Sequence, residues 1–584
     1  MSAEFDTVIR NGIIVDGLMT PAYQGDVAIK DGVIAEMGFV SGKGREEIDA
    51  TGRHVVPGFV DMHTHMDGQI FWDQMATPSC FHGITSIMVA NCGFALTPAK
   101  PEAQEWVLKM LSRVEGIPEE ALKEGLSFDW ETYGEYLDAA SKLSLGVNVG
   151  AMVPHSTIRY DVMGEESRER AARPEEVEQM AAQVRQAMDD GGFGFSSSWN
   201  NGHADGDGIA VPSRFADKDE LIALCAVLKD YSIGGIEFTP QGLMDGVKPA
   251  DFELMGDLSR AAGGKPVNWN ALIDIYAHPD YWRKELTMME EQVRKGARIF
   301  AINSCFPIDA DFCLGTAGNL FDDYPHWSKA LAAPLDERIK LFSDPEYRAK
   351  MKTEMAAGKG LFSPKWDDVE VVTTIKPENK KYEGQRLTQI AEALGKDPVD
   401  TLLDLALSEN LETGFFRYAV QNANEDAIAE IVQHPLSIPG VSDGGAHLEY
   451  LCQYGWPIKL LSDWTRDRKV LSLEDAIRRV SFLPAQVAGL LDRGHLRVGA
   501  AADVVVIDME NLGLTKVAWQ KDLPGDQARK VHFPDGVDCV LVNGEVTIRD
   551  NEFTGTRSGR VLRSTDYDAD ASGSDVRRKG SKAA

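Results

Sequence analysis

Two imidazoles stand two residues apart in Pro57-Gly-Phe-Val-Asp-Met-His63-Thr-His65-Met-Asp67. On an extended strand alternate side chains face the same way, so His63 and His65 project together. Such a pair suits a borderline metal such as zinc. Two core or surface histidines are the plain alternative, against which the apolar run before the pair and the acid behind it both weigh. Cys92, in Val89-Ala-Asn-Cys-Gly93, follows a second apolar run and offers a thiolate that could bind or bridge metal. The commoner fate of a free cysteine is a small buried hydrophobe. Asp443, in Ser442-Asp-Gly-Gly-Ala-His447, lies between an apolar run and a glycine pair. A carboxylate there could hold metal or take the proton of an attacking water; a turn cap is the usual role of aspartate before glycine. His447 either bonds substrate or sits on a loop. Glu237 could supply an oxygen ligand or an internal salt bridge. His203, Asp205 and Asp207 share the Gly-rich stretch from Trp199 to Gly208, which does not match a calcium loop and reads as a flexible polar loop.

The elements that must carry these groups are strands alternating with amphipathic helices. Eight candidate strands fall at 55–62, 84–92, 145–155, 192–198, 234–239, 266–272, 298–304 and 437–443, with helical patterns such as 174–190 and 218–231 between them. Repeated strand–helix units make a parallel sheet, and eight can close into a (β/α)₈ TIM-type barrel, an α/β fold. His63, His65, Cys92 and Asp443 then share the barrel end where active sites sit. Residues 57–496 are expected to form this barrel. The gap from about 305 to 436 is too long for one connection and should hold extra helices, such as 337–342 and 386–394, acting as a lid. Short-strand texture with turns at Asn11-Gly12, Asp16-Gly17, Asp31-Gly32 and Asn543-Gly544 marks both chain ends. It predicts one small β domain, a sandwich, made from 1–56 plus 497–563. Residues 564–584, rich in Ser, Gly and charge, are expected to be disordered.

The 584 residues are 43% hydrophobic and 26% charged, ordinary for a globular chain. A net charge of −31 disfavours nucleic acid and anionic membranes as partners. Seven scattered cysteines without a CxxC pair fit a reducing compartment. No basic-then-apolar leader and no apolar run of membrane length is present, so a cytoplasmic protein is expected, a homo-oligomer being compatible with the sequence.

These motifs together resemble the amidohydrolase superfamily, and within it the D-aminoacylase (N-acyl-D-amino-acid deacylase) family. The likeness runs from about 5 to 563. It rests on Gly58-Phe-Val-Asp-Met-His-Thr-His65, Asn91-Cys-Gly-Phe94, Val153-Pro-His-Ser-Thr-Ile-Arg159 and Ser442-Asp-Gly444, then Arg493-Gly494, Ala502-Asp503 and Val542-Asn-Gly544. The resemblance implies a barrel with a small β-sandwich, one or two zinc or other divalent transition-metal ions, and hydrolysis of an amide bond in a small-molecule substrate. It further implies His63, His65, Cys92 and Asp443 as metal ligands, with Asp443 the acid/base group. The family's histidines after the fifth and sixth strands are absent, the chain reading Gly234-Gly-Ile-Glu-Phe-Thr239 and Pro266-Val-Asn-Trp-Asn-Ala271. Cys452 and Gln453 stand where a cation for a substrate carboxylate is expected. His155, Asn268 and Asn270 are candidates to polarise the carbonyl, and Phe306, Phe312, Phe321, Tyr324, Trp327, Phe362 and Trp366 to wall an apolar pocket. The expected substrate is bulkier and less anionic than a simple N-acyl-D-amino acid. Alternatives are a cyclic amide, a lactone or another C–N bond, or a metal-poor barrel that only binds a ligand.

Overall fold

The computed structural model describes residues 3–316, 320–358, 360–448 and 451–567. It is an α/β fold in which eight parallel strands follow one another in chain order: β1 (Phe59–Asp61), β2 (Ile84–Val89), β3 (Asn148–Ala151, continued by Val153–Pro154), β4 (Gly194–Ser198), β5 (Gly235–Thr239), β6 (Val267–Asn270), β7 (Ile299–Asn303) and β8 (Ser437–Pro439). Each pairs in parallel with the next, for example Ile87 with Val149, Ser196 with Glu237 and Glu237 with Asn268. A parallel bridge between Thr64 and Gly444 links the segments that follow β1 and β8. All five residues of β4 and of β5 are buried, as expected of strands covered on both faces. Helices Pro174–Asp189, Lys218–Ala226, Pro249–Ala261 and Tyr281–Arg294 supply the outer cover. Pro at the first helical position, in two of them, and the Asp217 side chain, which accepts from the Glu220 amide, start three of these helices.

The two chain ends share one nine-stranded sheet, in which His54–Pro57 runs between Phe5–Ile14 and Val504–Ile507. Asp503 ties this sheet to β3. Its carboxylate accepts from Asn148 Nδ2 at 3.1 Å and from the Asn543 amide at 2.7 Å, and it pairs with Arg493. Both members of that ion pair are buried. Arg493 also pairs with Asp492 at 3.0 Å, so Asp503→Ala removes one of its two carboxylate partners together with the acceptor of Asn148 and Asn543, and should cost about 1–3 kcal/mol of stability, read as a lowered denaturant midpoint. A loss under about 1 kcal/mol would contradict the assignment of this pair as the link.

The insertion between β7 and β8 holds more than helices. Helices Leu335–Ser343 and Leu387–Leu394 lie where expected. The three-stranded antiparallel sheet of Ile308–Phe312, Val369–Thr373 and Gly414–Gln421 was not anticipated. Its aromatics do not wall a pocket. Phe312, Phe321, Tyr324, Trp327 and Phe362 are buried in the insertion's own core, Phe321 stacking on Trp327 at 4.8 Å and meeting Phe362 at 4.6 Å. A subdomain of this size needs its own apolar core, and the aromatics form it. The expected disorder of 564–584 also needs correction at its start. Ser564–Asp566 forms a turn, and the Tyr567 hydroxyl donates to Asp492 at 2.9 Å. Residues 568–584 lie outside the described residues.

Candidate active site

The segment after β1 is clamped from both sides. Thr64 Oγ1 donates to the Met88 carbonyl at 2.7 Å, the His65 amide to the Gly444 carbonyl at 2.7 Å, and Ser442 Oγ to the His63 carbonyl at 3.3 Å. After β2 the chain turns sharply, Ala90 and Cys92 both taking positive φ. The Cys92 amide donates to Glu237 Oε2 at 2.7 Å, so β5 fixes the turn that presents the thiol.

The donor atoms of His63, His65 and Cys92 all lie within 4.8 Å of one another. His63 Nε2 is 3.5 Å from Cys92 Sγ and 3.4 Å from Asp443 Oδ1, and His65 Nε2 is 4.0 Å from the same Asp443 oxygen. Two donors each about 2.1 Å from a tetrahedral zinc stand roughly 3.4 Å apart, a nitrogen–sulfur pair roughly 3.6 Å. The spacings about His63 therefore match that geometry, while His65 stands wider, 4.0 Å from Asp443. The electrostatics fit a metal. Burial drives His63 down to about 3 and His65 well below the ordinary imidazole range, so both are neutral donors. Burial pushes Asp443 up to about 7, Glu237 up to about 8 and Glu115 well above the carboxylate range. Carboxylates crowded with neutral imidazoles, and with no lysine or arginine among the described residues lining the cavity, are the setting in which a bound cation is favourable.

The other candidates separate. Asn270 stands 3.4 Å from His63 Nε2 and lines the cavity above the histidines, as does His447. Glu237 touches the Cys92 turn and lies 3.9 Å from His63 Nδ1. Asn268 pairs with it in register and borders a small void below, not the cavity. His155 is not available to a substrate. Its ring nitrogens meet Ser197 Oγ and Glu220 Oε1, each at 2.8 Å, and Glu220 also holds buried Arg159. The loop carrying His203 is no loose polar segment: Asp205 is buried against Arg168 and Trp106 Nε1, and His203, held to Ser198 Oγ at 2.9 Å, lines the cavity.

One neighbour escaped the sequence. Glu115 ends helix Gln104–Glu115, only 2% exposed, with Oε2 3.4 Å from His65 Nε2. Its signal was an acid on the apolar stripe of Leu108 and Leu111.

The cavity encloses about 1040 Å³ including its open mouth. Ile308, Leu320, Leu361 and Val420 of the insertion form an aliphatic wall. No lysine or arginine is among the described residues lining it.

The amidohydrolase family model matches residues 46–548. A D-aminoacylase of Alcaligenes xylosoxydans xylosoxydans is 25% identical, over 97% of this chain and 99% of its own. An N-acyl-D-aspartate deacylase of the same organism is 28% identical, over 96% and 95%. The crystal structure of an N-acyl-D-glutamate deacylase from Bordetella bronchiseptica superimposes with a TM-score of 0.66 at 23% identity, over 96% of this chain and 99% of that one. The chain belongs to the amidohydrolase family, and its resemblance to the D-aminoacylases is that of a divergent member.

Proposed function

We propose that the protein is a metal-dependent hydrolase of amide bonds, built as a (β/α)₈ barrel whose strands β1–β8 close through the Thr64–Gly444 bridge, with the shared sheet of the chain ends as its small sandwich domain. The observation that carries this reading is the convergence of the donor atoms of His63, His65 and Cys92 within 4.8 Å of one another, with Asp443 Oδ1 at 3.4 and 4.0 Å from the two imidazoles. Zinc or a similar divalent ion, such as the zinc in the Bordetella deacylase complex, would polarise the scissile carbonyl and acidify the attacking water. His63 and His65 supply neutral nitrogen donors and Cys92 a sulfur donor. Asp443 Oδ1, facing both imidazoles, takes the water's proton and returns it to the leaving nitrogen. The Asn270 side-chain amide is placed to steady the carbonyl oxygen. Activity on N-acyl amides, dependent on added zinc, manganese or cobalt, tests the reading. Metal-replete protein inert towards acyclic and cyclic amides alike would overturn it.

The relatives deacylate N-acyl-D-amino acids by name, but this cavity presents an aliphatic wall and no lysine or arginine among its described lining residues. Burying a methylene contributes about 0.8 kcal/mol, close to fourfold in kcat/KM. Lengthening the acyl chain of a neutral amide should therefore raise kcat/KM severalfold per added carbon until the cavity fills. A flat series, with N-acetyl-D-amino acids the best substrates, would count against the neutral, apolar substrate.

A further inference from the structure

The chain lacks histidines at the ends of β5 and β6, where it carries Glu237, Thr239, Asn268 and Asn270. Something else must complete the donor set if the metal reading above holds, and this inference rests on that reading. Glu115 comes from outside the strands, yet its carboxylate reaches the same floor. It lies 3.4 Å from His65 Nε2, the separation expected of two donors on one zinc ion. It approaches Nε2, the nitrogen that also faces Asp443 at 4.0 Å, and not Nδ1 on the far side of the ring. A carboxylate that merely orients a metal-bound histidine sits behind the ring, on the nitrogen that does not coordinate. Glu115 therefore stands on the coordinating side.

Two further observations point the same way. Glu115 is 2% exposed, its nearest basic groups are the imidazoles of His65 and, at 3.9 Å, His447, and it ends a helix, where the negative end of the dipole opposes a second negative charge. An anion in that position is retained at a cost unless a cation neutralises it. The chain also fixes the helix end to the catalytic loop, because the His447 amide donates to the Glu115 carbonyl. That bond holds the Glu115 backbone against the loop carrying Asp443, four residues before His447.

We infer that Glu115 is a carboxylate ligand of the metal centre, supplying beside His63, His65, Cys92 and Asp443 an oxygen donor in place of the missing strand-end histidines.

Glu115→Gln keeps shape and removes charge. Zinc affinity is measured by chelator competition on wild type, Glu115→Gln and Glu115→Asp, and the visible spectrum of each cobalt-loaded protein is recorded. Circular dichroism melts check that the fold is retained. Orienting partners typically account for 10- to 100-fold in metal affinity. Glu115→Gln is expected to lose at least about 100-fold and to shift the cobalt bands, with Glu115→Asp recovering part of both. A loss below about 100-fold, or unshifted cobalt bands, overturns the inference. If Glu115→Gln does not fold, Glu115→Asp alone decides: wild-type bands and affinity overturn it, shifted bands with weakened binding support it. Wild-type protein that holds no metal would instead overturn the proposed function, and with it this inference.

Discussion

Asp443→Asn is expected to lower kcat by about 10³- to 10⁴-fold while leaving fold and metal content near wild type. Among the described residues the carboxylate is the one group whose oxygen faces both His63 and His65 and whose side chain, 17% exposed, opens to the cavity. An amide of the same shape keeps an oxygen for the metal but cannot accept the water's proton. The choice of asparagine follows from the backbone. Asp443 has φ of 47°, a left-handed conformation that asparagine tolerates and alanine resists. Asp443→Ala would confound lost chemistry with backbone strain, whereas Asp443→Asn isolates the proton transfer. Single-turnover rates, metal analysis and a thermal melt on the same preparation make the test. A kcat within about tenfold of wild type would remove Asp443 from the proton-transfer role.

The strand count was legible because each strand, buried on both faces, leaves an apolar run between turn residues, and all eight runs hold a strand here. That His63, His65, Cys92 and Asp443 lie near one another was legible because each sits where an apolar run gives way to Gly or polar residues. What was not legible depends on contacts distant in sequence. Nothing local to Glu115 says that its helix ends against His65, 50 positions away by number and brought near only by the fold. His155 looked like a site residue because it follows a strand end. Its fate is decided by Glu220 and Arg159, which need a buried partner more than a substrate does. The aromatics of the insertion are a case of composition without placement, since an apolar wall and a subdomain core draw on the same residue types and only topology separates them. The strands of the insertion pair antiparallel across long stretches of chain, Ala310 with Arg417 and Val369 with the same Arg417, separations at which no turn signal announces the partner.

His63→Ala should abolish both metal retention and turnover, and the two losses together distinguish a ligand from a substrate contact. The ring is fully buried and its Nε2 meets Cys92, Asp443 and Asn270 within 3.5 Å, so its removal takes a donor from the centre of the cluster. The loss is that of the central donor, since His63 Nε2 is the atom within 3.5 Å of both Cys92 Sγ and Asp443 Oδ1, and without it the other donors are not held around one point. The effect has a readout independent of activity. A metal that binds only the folded state raises its stability by about 2.7 kcal/mol at a hundredfold excess over Kd. Zinc added to metal-stripped wild type should therefore raise Tm, and the same addition to His63→Ala should not. Asp443→Asn is expected to keep much of that Tm response while losing turnover, because its amide oxygen can still donate to a metal. Wild type and His63→Ala stabilised equally by zinc would place the ion elsewhere in the molecule, and a metal-stripped wild type retaining full turnover would make the histidine pair structural.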